Sequence, residues 1–164
     1  MSGIASIAIG RRKTGKTTFT KNLLKSKPKN MPVVVYDVNR EYLEFYSEPF
    51  TDFRKFLDKV VNLKGTYIIF EESTIFFDTR SNFEEMKNLL VRARHTQNII
   101  QLNFHSFASV PRGIYNLLDY VTVFKTNDNV KNVKDRFDNP NVLKAFDNAI
   151  KSKNEYYFET VSLY

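Results

Sequence analysis

Apolar and polar positions along the 164-residue chain alternate in short blocks. Five apolar runs have the length and character of buried strands: residues 4–9, 33–36, 66–70, 99–104 and 120–124. A sixth segment, residues 155–161, reads as a final strand at the sheet edge. Helical spacing lies between them. Residues 17–26 place Phe19 and Leu23 on one face and Lys21 and Lys25 on the other. Residues 50–61 set Phe53, Phe56, Leu57 and Val60 at core spacing, with Thr51 or Asp52 as cap. A capping box, Ser81-x-x-Glu84, opens a helix to about His95, whose inner stripe is Phe83, Met86, Leu90 and Ala93. A short helix over 112–118 and two more over 130–137 and 141–150 complete the set, the last pair split by Asn139-Pro140. Strands alternating with helices predict one α/β domain, residues 1–164, built on a mainly parallel sheet.

One junction carries specific chemistry. Between the first strand and the first helix stands Gly10-Arg11-Arg12-Lys13-Thr14-Gly15-Lys16-Thr17, the pattern G-x-x-x-x-G-K-T. Strand, loop and helix follow in the order that phosphate binding needs. Glycines let the backbone wrap a phosphate and turn successive N–H groups inward, and the helix N-terminus adds positive partial charge. Residues 10–18, through Thr18, form the expected nucleotide cradle. Lys16 is expected to reach the β- and γ-phosphates, and the Thr17 hydroxyl to ligate Mg²⁺.

The third strand ends in Glu71-Glu72, two carboxylates after an apolar run and about 55 residues past the phosphate loop. In this Walker B arrangement the first acid holds the Mg²⁺ shell and the second polarises the attacking water. The usual first acid is Asp; Glu71 stands in its place. In an open parallel sheet the C-terminal strand ends share one edge, where ligands bind. That rule puts Asp37 and His105 on the same edge as the loop. Asp37 could steer Mg²⁺, a water or a subunit contact, or could close a turn. His105 could sense the γ-phosphate or hold the attacking water, or be an ordinary surface or core histidine.

Charge changes the picture locally. Of the 25 basic residues, eight precede Tyr36 with no Asp or Glu among them, leaving 17 against 18 acidic residues in the remainder. The +7 net charge thus belongs to the nucleotide loop and its helix. Arg11, Arg12 and Lys13 exceed what the motif requires; they suit a second polyanion, a neighbouring subunit or a solvated face. Zero Cys excludes disulfides and thiolate-bound metal and fits a reducing compartment. The first apolar run is too short for a signal-peptide core, and no run approaches the 18 residues of a membrane span, so neither secretion nor a span is expected.

Taken together, the phosphate loop, Tyr36-Asp37 after the second strand, Ile68-Ile69-Phe70-Glu71-Glu72, Arg94 with Ile99-Ile100-Gln101-Leu102, the segment 106–114 and Phe124-Lys125 carry a resemblance over most of the chain. The sequence resembles the HerA/FtsK superfamily of P-loop ATPases, in particular the small genome-packaging ATPases of tailless viruses and phages. The resemblance implies a RecA/ASCE-like three-layer sandwich and an ATP- and Mg²⁺-dependent motor that packages double-stranded DNA into a capsid. It also implies a homo-oligomeric ring, commonly a hexamer, a possible capsid-vertex partner, and a place in the virion or host cytoplasm. The sensor at the end of strand four is usually Gln in that family; the aligned residue here is His105. The family's trans-acting arginine finger corresponds to Arg94, with Arg92 as second choice. Two other readings begin with the same loop: a small nucleotide or nucleoside kinase, with Arg112 and Arg136 as lid candidates, and a non-catalytic nucleotide switch.

Overall fold

The computed structural model describes residues 3–45 and 50–164. Six strands form one sheet in the order β2-β3-β4-β1-β5-β6. They are β1 (Ile4–Ile9), β2 (Val33–Tyr36), β3 (Tyr67–Phe70), β4 (Ile99–Phe104), β5 (Tyr120–Phe124) and β6 (Phe158–Ser162). The first five run parallel, and β6 pairs antiparallel with β5 at the edge. The helices are α1 (Lys16–Ser26), α2 (Phe53–Val60), α3 (Arg80–Thr96), α4 (Val130–Arg136) and α5 (Pro140–Lys151).

Side-chain alternation divides the sheet into unequal faces. Ile7, Ile9, Ile68, Phe70, Ile100, Leu102, Val121 and Val123 share the large core with α2, α3, α4 and α5. Val35, Tyr67 and Ile69 face the other way, onto Leu24 of α1 and Tyr42 of the turn after β2. The three-layer sandwich is therefore lopsided: four helices on one side, α1 with the 37–45 turn on the other. The large core is knit by aromatic edges. Phe76, on a single 3-10 turn (Thr74–Phe77), meets Tyr36 at 4.9 Å, Phe70 at 4.8 Å and Phe56 at 5.9 Å between ring centroids.

Several local expectations shift. On α1 the buried positions are Lys16, Thr20 and Leu24, while Phe19 and Leu23 are half-buried. The reason lies beneath the helix: Asn103 and Glu71 present polar atoms there, and Thr20 and Lys16 suit that surface better than Phe19 does. Phe19 instead packs edge-on against Phe124 and Phe158 at 5.7 and 5.1 Å. The cap of α3 is Thr79, not Ser81; its side chain accepts from the Asn82 N–H at 3.1 Å, so the helix starts earlier. Phe83 is half-buried, and Leu89 joins Met86, Leu90 and Ala93 inside. Asp52 caps α2 through the Lys55 N–H at 2.9 Å. Residues 112–118 supply only one 3-10 turn (Tyr115–Leu117), and the last strand begins at Phe158 rather than 155.

Phe76→Ala leaves a ring-sized void among fully buried aromatics. It is expected to lower the unfolding free energy by about 3–5 kcal/mol, measured by urea denaturation.

Candidate nucleotide site

The phosphate loop connects β1 to α1 across the C-terminal edge of the sheet, and its course depends on close backbone approach. A Cβ built on Gly10 would lie 2.4 Å from the Phe124 Cβ, so only glycine lets the loop leave β1 beside β5. Gly10 N–H donates to the Phe104 carbonyl at 3.1 Å and Arg11 N–H to the Lys125 carbonyl at 2.8 Å, tying the loop to both neighbouring strands. Lys13 and Gly15 take left-handed φ values of 65° and 97°, which turn the chain into α1. The Thr14 hydroxyl closes the loop on the Arg11 carbonyl at 2.8 Å. Lys16 Nζ lies back on the loop, donating to the carbonyls of Gly10 at 2.5 Å and Arg11 at 2.9 Å. Burial holds the Lys16 ammonium below its ordinary pKa, while Glu71 and Glu72 pull it up.

Beside the loop opens a cleft of about 420 Å³. Arg12, Lys13, Lys16, Thr17 and Thr18 line one side, and Glu71, Glu72 and His105 the other. Three of the sequence-predicted elements thus converge. Thr17 Oγ1 donates to Glu71 Oε1 at 3.0 Å, across α1 and β3. This pair of hard oxygen donors suits Mg²⁺, which keeps most of its shell as water and phosphate. Among the described residues no group of three or more His, Cys, Asp or Glu could hold a metal, so an ion here would lean on a bound phosphate.

Glu71 is fixed by two residues that sequence reasoning missed. Its Oε2 accepts from the Tyr42 hydroxyl at 2.5 Å and from Asn103 Nδ2 at 2.7 Å. Burial raises the Glu71 pKa, and the bonds from Tyr42, Asn103 and Thr17 oppose that rise. Asn103 sits on β4 facing α1, in a buried polar line that continues through Gln101 to Ser6. The signal was present in the sequence: polar residues at alternate positions of an otherwise apolar strand. Asp37 turns out to close a turn. It is fully buried and accepts from the backbone N–H groups of Glu41 and Tyr42, both at 2.9 Å. It therefore serves the site through Tyr42, and the same turn brings Asn39 and Glu41 to the cleft wall.

Glu72 and His105 pair directly. His105 Nε2 lies 3.0 and 3.2 Å from the two carboxylate oxygens. That contact, above all its hydrogen bond, holds the Glu72 carboxyl below its ordinary value of 4.5. His105 Nδ1 is buried without a hydrogen-bond partner. The remaining candidates stand apart. Arg11 points away from the cleft, to Glu155 at 2.5 Å. Arg94 lies at the opposite sheet edge, beside Asp119 at 2.5 Å and over the Tyr164 ring at 5.4 Å. The six-residue strands β1 and β4 separate that edge from the cleft by about 20 Å. Arg92 lies on the same last stretch of α3.

No family model and no curated protein matches the chain. Solved structures do. The crystal structure of B204, the DNA-packaging ATPase from Sulfolobus turreted icosahedral virus, superposes with a TM-score of 0.77 at 16% identity, covering 99% of this chain and 94% of that one. The chain has the fold of a small viral genome-packaging ATPase. B204 from Sulfolobus turreted icosahedral virus 2, a genome-packaging NTPase solved with AMPPCP, gives 0.75 at 16% identity over 98% and 93% of the two chains. A more distant likeness, the type VII secretion ATPase EccC of Thermomonospora curvata, scores 0.61 at 12% identity over 87% of this chain and 23% of that cytoplasmic domain.

Two outcomes follow for the carboxylates. Tyr42→Phe removes one of the donors on buried Glu71 and is expected to lower the unfolding free energy by about 1–3 kcal/mol in urea. For Glu72 the pair favours the ionised form, so its contribution to stability is full above pH 4.5 and is lost as pH falls through the lowered folded value. His105→Ala should therefore raise the Glu72 midpoint towards 4.5 in a carboxyl-carbon NMR titration.

Proposed function

We propose that this protein hydrolyses ATP with Mg²⁺ and couples hydrolysis to the movement or packaging of double-stranded DNA into a capsid. The observation that carries the reading is the meeting of Lys16, Thr17, Glu71 and Glu72 in one cleft. The likeness to two B204 structures over almost the whole of both chains supports the packaging side.

In the proposed cycle the loop N–H groups and Lys16 hold the phosphates. Lys16 has to leave the carbonyls of Gly10 and Arg11 to reach them. The Thr17 hydroxyl and the Glu71 carboxylate orient the Mg²⁺ shell, and the ion, when bound, neutralises phosphate charge. Glu72, ionised at neutral pH, accepts a proton from the attacking water. His105 orients that carboxylate, in place of a sensor Gln.

Within its own chain Arg94 cannot reach the cleft, so its proposed role as a finger is one played on a neighbour's site in a ring, with Arg92 as second choice. It would have to give up Asp119 to do so. DNA contact would come from basic and polar groups on phosphate, without base reading. The two lid candidates of the kinase reading stand outside the cleft lining: Arg112 approaches Asp135 at 3.8 Å, and Arg136 donates to the Ala108 carbonyl at 3.1 Å. No helix among the described residues is long and apolar enough to cross a membrane.

The test is ATP turnover against protein concentration, with and without double-stranded DNA, beside Glu72→Gln. Turnover that rises faster than linearly with protein, rises further with DNA and falls at least a hundred-fold in Glu72→Gln, on the scale of a lost general base, is the expected result. A rate linear in protein and indifferent to both DNA and the substitution would sink the motor reading.

A further inference from the structure

A second, mostly apolar groove of about 340 Å³ runs along α1 on the far side of the loop. Phe19 and Leu23 form its floor, and Tyr156 and Phe158 its outer wall. Gly15 and Thr18 line both this groove and the phosphate cleft, so the two adjoin. Tyr156 is 66% exposed and Phe158 44%, an unusual outlay of aromatic surface beside a polar site. The Tyr156 ring lies against the loop itself: a Cβ built on Gly15 would sit 3.4 Å from its Cδ1.

The turn that carries Tyr156 is pinned in place. Glu155 bridges Arg11 of the loop at 2.5 Å and Lys125 of the β5 end at 3.1 Å. Asn154 Oδ1 accepts the Tyr156 N–H at 2.9 Å. Behind it, Phe19, Phe124 and Phe158 pack on one another at 5.1–5.7 Å and fix the groove floor. Sheet order sets the direction of a bound nucleotide. Glu71 and Glu72 follow β3, two strands from β1 on one side; β5 and β6 lie on the other. A triphosphate whose γ end faces the carboxylates would have its nucleoside on the far side of the loop, where Gly15, Thr18 and this groove lie.

We propose that the groove is the nucleobase subsite, with Tyr156 as the platform on which a purine ring of a nucleoside triphosphate stacks. The inference rests on the phosphate-binding reading of the loop given above. It also gives the Arg11–Glu155–Lys125 cluster a purpose: it holds the platform at a fixed distance from the phosphates. Stacking on a π-face is tolerant of base identity, so ATP and GTP should depend on Tyr156 alike.

Calorimetric titration with ATP, GTP and inorganic tripolyphosphate separates the base from the phosphates. Tyr156→Ala is expected to weaken ATP and GTP binding about ten-fold or more and to leave tripolyphosphate binding unchanged, with Tyr156→Phe close to wild type. Tripolyphosphate binding also reports that the loop is intact. ATP affinity undiminished in Tyr156→Ala would overturn the subsite, as would equal loss of ATP and tripolyphosphate. Lys16→Ala tells the two failures apart: if it binds tripolyphosphate as wild type does, the phosphate reading beneath the inference is what has failed.

Discussion

A single buried carboxylate holds this site together. Glu71 takes hydrogen bonds from the phosphate-loop helix (Thr17), from the strand beside its own (Asn103) and from the turn after β2 (Tyr42). A charge taken out of water is tolerable only when its lone pairs are satisfied, and three donors from three elements satisfy it. The dependence runs both ways. Without the carboxylate, the Tyr42 hydroxyl would lose its acceptor and Asn103 its shortest bond, and the 37–45 turn would keep only apolar packing on β3.

That hub explains the uneven sandwich. The face of β4 under α1 carries Gln101 and Asn103 instead of aliphatic residues, so α1 is held partly by polar bonds: Asn103 Nδ2 donates to Thr20 Oγ1 at 3.3 Å, and Thr17 Oγ1 to Glu71 at 3.0 Å. The other face needs no such compromise and is filled by Phe56, Phe70, Phe76 and the aliphatic rows of four strands. Stability and chemistry are thereby assigned to opposite sides of one sheet. The edge where the loop, Glu71, Glu72 and His105 gather is where those two sides share backbone.

What could be read from the sequence was what depends on local order. A strand, G-x-x-x-x-G-K-T and a helix fix the cradle without knowledge of anything distant, and two acids after an apolar run fix their own edge. His105 could be placed on the loop's edge because parallel strands end together, but its pairing with Glu72 depends on β3 and β4 being neighbours, which only the fold shows. Tyr42 could not, since it reaches Glu71 only through the turn that Asp37 closes, and nothing local marks an Asp as a turn anchor rather than a ligand. Phe19 and Leu23 do share one face of α1, half-buried, but the apolar spacing gave no sign that a helix laid over a carboxylate and an amide buries Lys16 and Thr20 more deeply. Ser81-x-x-Glu84 fitted a capping box, but Thr79 lies two residues earlier and does the capping. Arg94 was singled out by its likeness to a family position, and its partners Asp119 and Tyr164 come from segments that only the fold brings near.

The reversed direction of β6 has a consequence for how the molecule comes into being. Because β6 runs against β5, the turn before it lies at the nucleotide edge, where Glu155 clasps Arg11 across a separation of 144 residues. β1 itself waits for β4, some 95 residues later, before it has its first parallel neighbour. A nascent chain emerging from the ribosome therefore exposes a basic, glycine-bearing loop long before the strands that shape it exist. Contacts so distant in sequence form late and slowly. The loop cannot reach its final form until residues as far as Glu155 have been synthesised, so a chain stopped before them lacks the platform and the clasp together.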